Sequence, residues 1–306
     1  MKIDPAIETT IVKILDRSGP LTGSGLWKNA GGNQGELWRT CMISGLIEVF
    51  RTGIDYLRLD RRIEGYARLS PSVLRNFLTY SVIGLHGDPR IPEKINQVQK
   101  HIQEVSSMKW RIALNVVSAI TERLDEERAV SSRMCVIIAG DIVYGMAHDM
   151  PRRERSTLKT VNGSDMDLIF VTTNDVSEQF RRKLDEAVYE EKLRLLMAPH
   201  MREEIDYVVK DIAKVEEQSA FDTFPSMVAC KILWEGKLLY GSESLFKRIK
   251  NMLVKRGVAG RLRSMKLKAD RFRKTAEAIL MEPGALEDPG SGRFLFYPAE
   301  ESEEFE

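Results

Sequence analysis

Short amphipathic segments separated by glycine breaks make up the first part of the chain. Isoleucine and leucine at helical spacing predict a helix over residues 5–17, and Ser18-Gly19-Pro20 ends it. A short second helix is predicted around residues 24–29, before the break at Gly31-Gly32. Asn33 is placed to cap a third helix over residues 34–43.

The next segments change to the period of a β-strand. Residues 46–50 and 55–59 alternate apolar and polar side chains on either side of Gly53, which predicts a hairpin. Residues 63–85 predict a further helix whose aromatic and leucine side chains contribute to the core. Three helices and a hairpin resemble a winged helix-turn-helix domain, which we expect over residues 1–85.

Such a domain has two common uses, and the sequence leaves both open. It can place its third helix in the major groove of DNA, or it can mediate protein–protein contacts and dimerisation. Basic residues are not dense here, so neither use is excluded. The side chains expected to face outward on the third helix and the wing are Gln34, Arg39, Thr40, Arg51 and Arg58.

Residues 84–92 contain Gly87-Asp88-Pro89 and predict a domain boundary. One or two long linker or packing helices are expected over residues 86–125. A second domain is expected over residues 126–282. Proline, glycine and acidic residues then predict a flexible acidic tail over residues 283–306.

The second domain contains the two most informative apolar runs. The run over residues 134–139 stops at Gly140, and a strand that ends at a glycine and leads into a helix offers backbone N–H groups to a phosphate. The run over residues 168–171 follows Asp165 and Asp167, whose side chains share one face of a strand. Two neighbouring carboxylates repel each other unless a cation lies between them, so this pair suits a hard divalent cation.

These motifs, in this order, resemble the nucleotidyltransferase fold of the DNA polymerase β superfamily over residues 105–260. That fold has a glycine turn after a first strand, an Asp-x-Asp strand, and a third aspartate on a later strand, for which Asp206 is the candidate. The resemblance implies an α+β chain. Its N-terminal winged helix would be followed by a mixed sheet flanked by helices, with basic C-terminal helices.

The resemblance also implies a site. Asp165, Asp167 and Asp206 would be the catalytic residues and would hold two Mg²⁺ or Mn²⁺ ions. A nucleoside triphosphate such as ATP would contact the glycine turn and residues near it. The candidate nucleotide-binding residues are Gly140, Asp141, Gly145, Ser164 and Lys231.

Two departures from the family pattern affect this site. Asp141 stands where the family usually has serine, and an ionised carboxylate would repel a phosphate that a hydroxyl could bind. The segment over residues 148–162 is also longer than usual and carries Arg152, Arg153, Arg155 and Lys159. It is either a solvated loop or a basic flap beside the triphosphate or a nucleic acid.

Two features after Asp206 extend the interpretation. Lys231, on a helix predicted before the strand-like run over residues 236–241, either reaches a phosphate or lies on a solvated face. The charged residues over 245–274 are basic with the one exception of Asp270, and Gly257 and Gly260 are expected to separate two helices. We expect this segment to contact a polyanion, with candidate nucleic-acid residues Lys255, Arg256, Arg261 and Arg263 in addition to Arg39, Arg51, Arg152 and Arg153.

Composition excludes several other classes. The chain has 306 residues and a net charge of +1, so it is not basic as a whole. Cys41, Cys135 and Cys230 are widely separated and lie in apolar contexts, which indicates reduced thiols in a cytoplasmic protein and argues against a zinc site. No apolar run approaches the roughly 20 residues of a membrane span, and no signal peptide is expected.

Together these features predict a metal-dependent enzyme that moves a nucleoside monophosphate to a hydroxyl group. A polynucleotide end or a growing oligonucleotide is the favoured acceptor, as in defence-associated synthases of the superfamily. One alternative is a protein-modifying component of a toxin–antitoxin system. Another is a DNA-binding regulator whose nucleotidyltransferase domain only senses nucleotides.

Overall fold

The computed structural model describes residues 4–124, 131–154, 157–282 and 284–285, which combine helices with several small sheets. The chain divides into two units by its internal contacts. One unit draws on Met1–His101 and Ser264–Ser302, and the other on Ile102–Arg263. Arg155 lies outside the described residues, as do the expected domain start at residue 126 and all of the predicted acidic tail except residues 284–285.

The first unit begins with three capped helices. These are α1 (Pro5–Ser18), α2 (Gly23–Ala30) and α3 (Gln34–Ile43), with the two-residue strand β1 (Leu21–Thr22) between the first two. The side chains of Asp4, Thr22 and Asn33 accept hydrogen bonds from the first backbone amides of their helices. The three predicted helices are therefore confirmed. Their inward faces form one core, which includes Ile11, Leu15, Leu26, Leu37 and Trp38.

The strands of the first unit pair differently from the sequence prediction. β2 (Ile47–Arg51) pairs with the distant β5 (Ser81–Leu85), while β3 (Tyr56–Leu59) pairs with β4 (Ala67–Ser70). The predicted hairpin between residues 46–50 and 55–59 is therefore wrong. β5 lies between β1 and β2 in a three-stranded sheet. Its buried backbone needs a ladder on both edges, and β2 provides one of them.

The single helix predicted over residues 63–85 is also wrong. That segment contains β4, the short helix α4 (Val73–Thr79) and β5. Pro71 interrupts the helical pattern because a proline within a helix removes one backbone donor, and Ser72 caps α4 through the amide of Arg75. Beyond β5, helix α5 (Ile91–Leu124) is one continuous helix, as the sequence allowed.

The second unit is built on a four-stranded mixed sheet. Its strands are β6 (Met134–Ala139), β9 (Met166–Thr172), β10 (Ile205–Asp211) and β11 (Lys237–Gly241), in the order β10-β9-β6-β11. β9 and β10 run parallel, whereas β6 is antiparallel to both β9 and β11. β6 is buried along its whole length and β9 almost so, which confirms the two apolar strands.

Helices and one small hairpin complete this unit. The helices are α6 (Glu178–Met197), α7 (Ile212–Gln218), α8 (Phe224–Glu235), α9 (Glu243–Lys255) and the start of α10 (Val258–Leu280). The extra segment over residues 148–162 forms a short antiparallel hairpin of β7 (Pro151–Arg153) and β8 (Thr160–Asn162). Gly257 separates α9 from α10, but Gly260 lies within α10, so only one of the two predicted glycine breaks occurs.

The cysteines and the helices bear on two composition arguments. Cys41, Cys135 and Cys230 are buried and unpaired, and burial raises the pKa of each thiol to about 12. These thiols are therefore protonated and weakly nucleophilic at neutral pH. Within the described ranges, every helix is too short or too polar to cross a lipid bilayer.

Candidate metal and nucleotide site

Three aspartates meet at one end of the central strands. Asp167 on β9 lies directly opposite Asp206 on the parallel strand β10, and Asp165 immediately precedes β9. One carboxylate oxygen of each lies within 4.8 Å of the others, and all three residues are half-buried. The convergence predicted for these side chains is confirmed. Clustered carboxylate oxygens are the ligands that Mg²⁺ and Mn²⁺ prefer, so the donor set fits a divalent cation.

The glycine turn after β6 comes very close to this cluster. Ala139 pairs with Asp167 across the sheet, and Gly140 follows with φ +70°. A Cβ atom on Gly140 would lie 2.0 Å from Asp167 Oδ2. Both the left-handed backbone and the carboxylate therefore require glycine here.

The turn is not the helix start that the sequence predicted. Only a single 3-10 turn, Gly140–Ile142, follows β6, so the expected contribution of a helix dipole to phosphate binding is absent. The amides of Val143, Gly145 and Met146 donate to carbonyls within the same turn. Gly145 was a candidate phosphate contact, and its N–H is already used by Ile142 O at 3.1 Å.

Asp141 and Ser164, both candidate nucleotide contacts, bind each other. Ser164 Oγ donates to Asp141 Oδ2 at 2.6 Å, and Ser164 Oγ also accepts from the amide of His148 at 3.1 Å. The half-buried carboxylate at position 141 is thus bound to the residue that directly precedes Asp165.

Two cations contact different carboxylates of the cluster. Arg152 on β7 places Nη2 3.3 Å from Asp165 Oδ2 and 2.7 Å from Glu204 Oε2, and its Nε donates to Gly163 O at 2.7 Å. Lys192 on α6 donates to Asp206 Oδ1 at 3.0 Å. Each interpretation of the 148–162 segment therefore fits one arginine. Arg152 contacts the carboxylates of the site, as expected for a basic flap, whereas Arg153 is exposed, as expected for a solvated loop.

Sequence reasoning missed Glu204 and Lys192. Glu204 is separated from Asp206 by one residue, so strand alternation would have placed both carboxylates on one face. Burial raises the pKa of Glu204 to about 7, opposed by Arg152 and reinforced by the charges of Asp165 and Asp206. Burial and then the charge of Asp165 raise the pKa of Asp206, which Lys192 opposes. No pattern in the sequence connects Lys192, on a separate helix, with this cluster.

Lys231 is buried rather than exposed, so its alternative placement on a solvated face is wrong. Its Nζ lies 2.9 Å from Glu235 Oε1, one turn further along α8. Glu235 Oε2 also accepts a hydrogen bond of 2.6 Å from Tyr144, which lies just beyond the glycine turn. Lys231 therefore belongs to a buried polar group that connects α8 to this turn, and its contact with a phosphate stays a prediction.

The candidate nucleic-acid residues have mixed environments. Arg39 on α3 is half-buried, and Thr40, which was expected to face outward, is buried. Arg51 is exposed but forms ion pairs with Asp55 at 3.7 Å and with Glu277 at 2.7 Å. The first unit therefore presents less free positive charge than its sequence indicated.

The basic segment is only partly a surface feature. Lys255, Arg256, Arg261 and Arg263 are exposed, and the guanidinium of Arg261 lies over the ring of Phe221 at 5.5 Å. Two other cations of the segment are structural. Lys250 donates to the carbonyls of Leu233, Trp234 and Gly236 at the end of α8, and buried Arg273 donates to those of Leu69 and Pro71.

We expect Gly140→Ala to weaken metal binding because its methyl group would displace the Asp167 carboxylate. A loss of at least about tenfold in Mn²⁺ affinity is expected, which is the usual size of a disturbance beside a ligand. Titration followed by electron paramagnetic resonance measures it. Gly145→Ala is the control, since its φ of +66° carries similar backbone strain but its added Cβ would meet no atom within 4 Å. Equal effects of the two substitutions would contradict the steric explanation.

No known family model matches the chain, and no curated protein matches it.

Proposed function

We propose that the second unit is a metal-dependent nucleotidyltransferase with the architecture of the DNA polymerase β superfamily. One observation carries the proposal: Asp165, Asp167 and Asp206 converge within 4.8 Å beside a turn where only glycine fits. The mixed sheet order β10-β9-β6-β11 supports it, because the glycine turn and both aspartate strands are then neighbours.

Each residue has a distinct role in the proposed reaction. Asp165 and Asp167 would hold the cation that accompanies the triphosphate. Asp206 would share the second cation and help to deprotonate the acceptor hydroxyl, which attacks the α-phosphorus and displaces pyrophosphate. When bound, two divalent cations stabilise the attacking and leaving oxygens. Glu204 is separated from Asp206 by one residue and has a pKa raised by burial to about 7.

The test is incubation of the purified chain with labelled NTPs or dNTPs and Mg²⁺ or Mn²⁺. Oligonucleotides and protein acceptors are supplied in separate reactions. The expected result is a labelled product with an oligonucleotide or a growing chain of nucleotides, and no product with Asp165→Ala/Asp167→Ala. A product with the protein acceptor alone would favour the protein-modifying alternative. No labelled product with any acceptor would overturn the proposal.

The exposed residues Lys255, Arg256, Arg261 and Arg263 support a polyanionic acceptor or product.

The first unit supports a second contact with nucleic acid or protein. Its three helices and the β1-β5-β2 sheet support a winged-helix arrangement, in which β2 and β5 would form the strands of the wing.

Asp141 favours a second candidate function, a nucleotide sensor with little turnover. Its carboxylate lies beside the glycine turn and opposes a polyphosphate chain. A sensor of this kind would bind a nucleotide, release it unchanged and bind DNA through the first unit. Retention of nucleotide without product, together with site-specific DNA binding, distinguishes it from the enzyme.

We expect Asp141→Ser to raise affinity for a nucleoside triphosphate about tenfold. The substitution removes a negative charge near the phosphates and supplies a hydroxyl donor, and 1.4 kcal/mol corresponds to tenfold. Isothermal titration with a non-hydrolysable ATP analogue and Mg²⁺ measures the change. Asp149→Ser is the control, because Asp149 is exposed in the same loop region. Unchanged affinity in Asp141→Ser would mean that this carboxylate does not face the triphosphate.

A further inference from the structure

We infer that Arg152 competes with a divalent cation for Asp165, so that the β7–β8 hairpin sets the metal affinity of the carboxylate cluster. The inference rests on the proposed function, because it assigns a role to Arg152 at the same site. It adds a positioning residue from a segment that the family pattern does not account for. Arg152 would act through Asp165, a proposed metal ligand, rather than on the reacting atoms.

The contacts of Arg152 show why it can compete. Its Nη2 lies 3.3 Å from Asp165 Oδ2, within the distance of an ion pair, and Asp165 contributes a carboxylate oxygen to the cluster. A cation shared by Asp165 and Asp206 would compete with this guanidinium for the negative charge of Asp165. Metal binding at Asp165 would therefore weaken the Arg152–Asp165 pair, and that loss lowers the metal affinity.

Arg152 is held by more than Asp165. Its Nη2 is 2.7 Å from the buried carboxylate of Glu204, and its Nε donates to Gly163 O at 2.7 Å. These two contacts keep the guanidinium beside the cluster after its contact with Asp165 is given up. The guanidinium would then face the phosphates that accompany the metal, and its fixed fork of N–H donors matches phosphate oxygens.

Backbone contacts hold the base of the hairpin that carries Arg152. The amide of Ser164 donates to His148 O at 2.9 Å, which closes the loop that carries the hairpin. Gly163 has a φ of +68°, and a Cβ atom there would lie 1.8 Å from His148 O. The hairpin is therefore anchored through backbone atoms at the point where it joins the Asp-x-Asp strand.

Lys192 provides a useful comparison at another carboxylate of the cluster. Its Nζ donates to Asp206 at 3.0 Å, and the side chain is partly exposed. A flexible ammonium with one carboxylate partner can move into solvent at low cost. Arg152, with three partners, is the cation whose removal should change metal affinity most.

The experiment measures Mn²⁺ binding by electron paramagnetic resonance, with no nucleotide and no turnover. The proteins are the full chain, Arg152→Gln, Arg152→Lys and Arg153→Gln, with Asp165→Asn/Asp167→Asn to identify the site. Arg153→Gln is the matched control, because Arg153 is exposed on the same strand. Circular dichroism and thermal melting establish that each variant is folded.

We expect Arg152→Gln to bind Mn²⁺ about tenfold more tightly than the full chain, in the range of effects from residues next to metal ligands. Arg153→Gln should bind as the full chain does. Arg152→Lys keeps the charge but cannot contact two carboxylates and a carbonyl together, so its affinity should lie between the two. It provides the comparison if Arg152→Gln does not fold.

Unchanged or weaker binding in both Arg152 variants would overturn the inference while leaving the metal site in place. Mn²⁺ binding by Asp165→Asn/Asp167→Asn as tight as that of the full chain would place the metal elsewhere and overturn the inference as well. If none of these proteins binds Mn²⁺, the proposed function fails together with the inference. The two failures are thus distinguished by whether the full chain binds the metal.

Discussion

Asp206→Asn is expected to lower nucleotidyl transfer by at least about 10³-fold, or about 4 kcal/mol of transition-state stabilisation, because metal-ion catalysis contributes several kcal/mol. Asp206 lies opposite Asp167 in the parallel register, so its carboxylate adds an oxygen to the cluster from the neighbouring strand. An asparagine has nearly the same size but lacks the charge that a divalent cation requires. The rate of product formation at saturating triphosphate measures the effect.

The same substitution should leave the unit folded and at least as stable. The three carboxylates lie within 4.8 Å of one another and repel each other, so removal of one charge relieves that repulsion. The partner Lys192 is partly exposed and can be solvated. We therefore expect a melting temperature that is unchanged or higher, which separates a catalytic loss from unfolding.

Asp175→Asn is the control for the loss of one carboxylate. Asp175 is exposed and follows the end of β9 opposite to the cluster. Hydrogen bonds from Thr173 and Arg133 lower its pKa to about 2. Its substitution should not change the rate. Full activity in Asp206→Asn would exclude Asp206 from the metal centre and leave only the Asp-x-Asp pair.

Lys109→Met is expected to destabilise the second unit by about 3–5 kcal/mol, the usual cost of breaking one side of a buried ion pair. Lys109 on α5 is fully buried and donates to Glu203 and to Asn162 O, the latter at 2.8 Å. Glu203 comes just before β10, and Asn162 ends β8. The ammonium therefore joins the segments that lead into Asp206 and Asp165.

Hydrogen–deuterium exchange of peptides from β9 and β10 measures this change within the second unit. Lys109→Met/Glu203→Leu is expected to recover much of the stability, since an apolar replacement leaves no buried charge without a partner. Lys214→Met is the control, because the Lys214–Glu217 pair is exposed and should not change exchange in these strands. A Lys109→Met protein with unaltered exchange would mean that the pair contributes little to the fold.

Sequence patterns identified the carboxylate site because local rules govern it. Strand alternation places Asp165 and Asp167 on one face, and the apolar run after them predicts a buried strand, as β9 is. The helices α1 to α3 were likewise predictable from apolar spacing and from the capping residues Asn33 and Gly31. These features depend on residues within a few positions of each other.

The predictions that failed depended on choices between distant partners. The run over residues 47–51 could pair with its neighbour or with β5, and only the assembled core determines which ladder is completed. The turn after Gly140 and the burial of Lys231 depend in the same way on packing around them. Local propensity does not decide between such distant partners.

The sequence alone indicated the residues that form the candidate site: a glycine turn, the Asp165 and Asp167 pair at the start of an apolar strand and, through the family resemblance, Asp206 on a later strand. Only the tertiary structure decided what surrounds them, including Arg152 beside Asp165, Lys192 beside Asp206 and Ser164 bound to Asp141. The physical reason is the separation along the chain over which each effect acts. Side-chain alternation acts between adjacent residues, whereas electrostatic partners meet through contacts that only the folded chain creates.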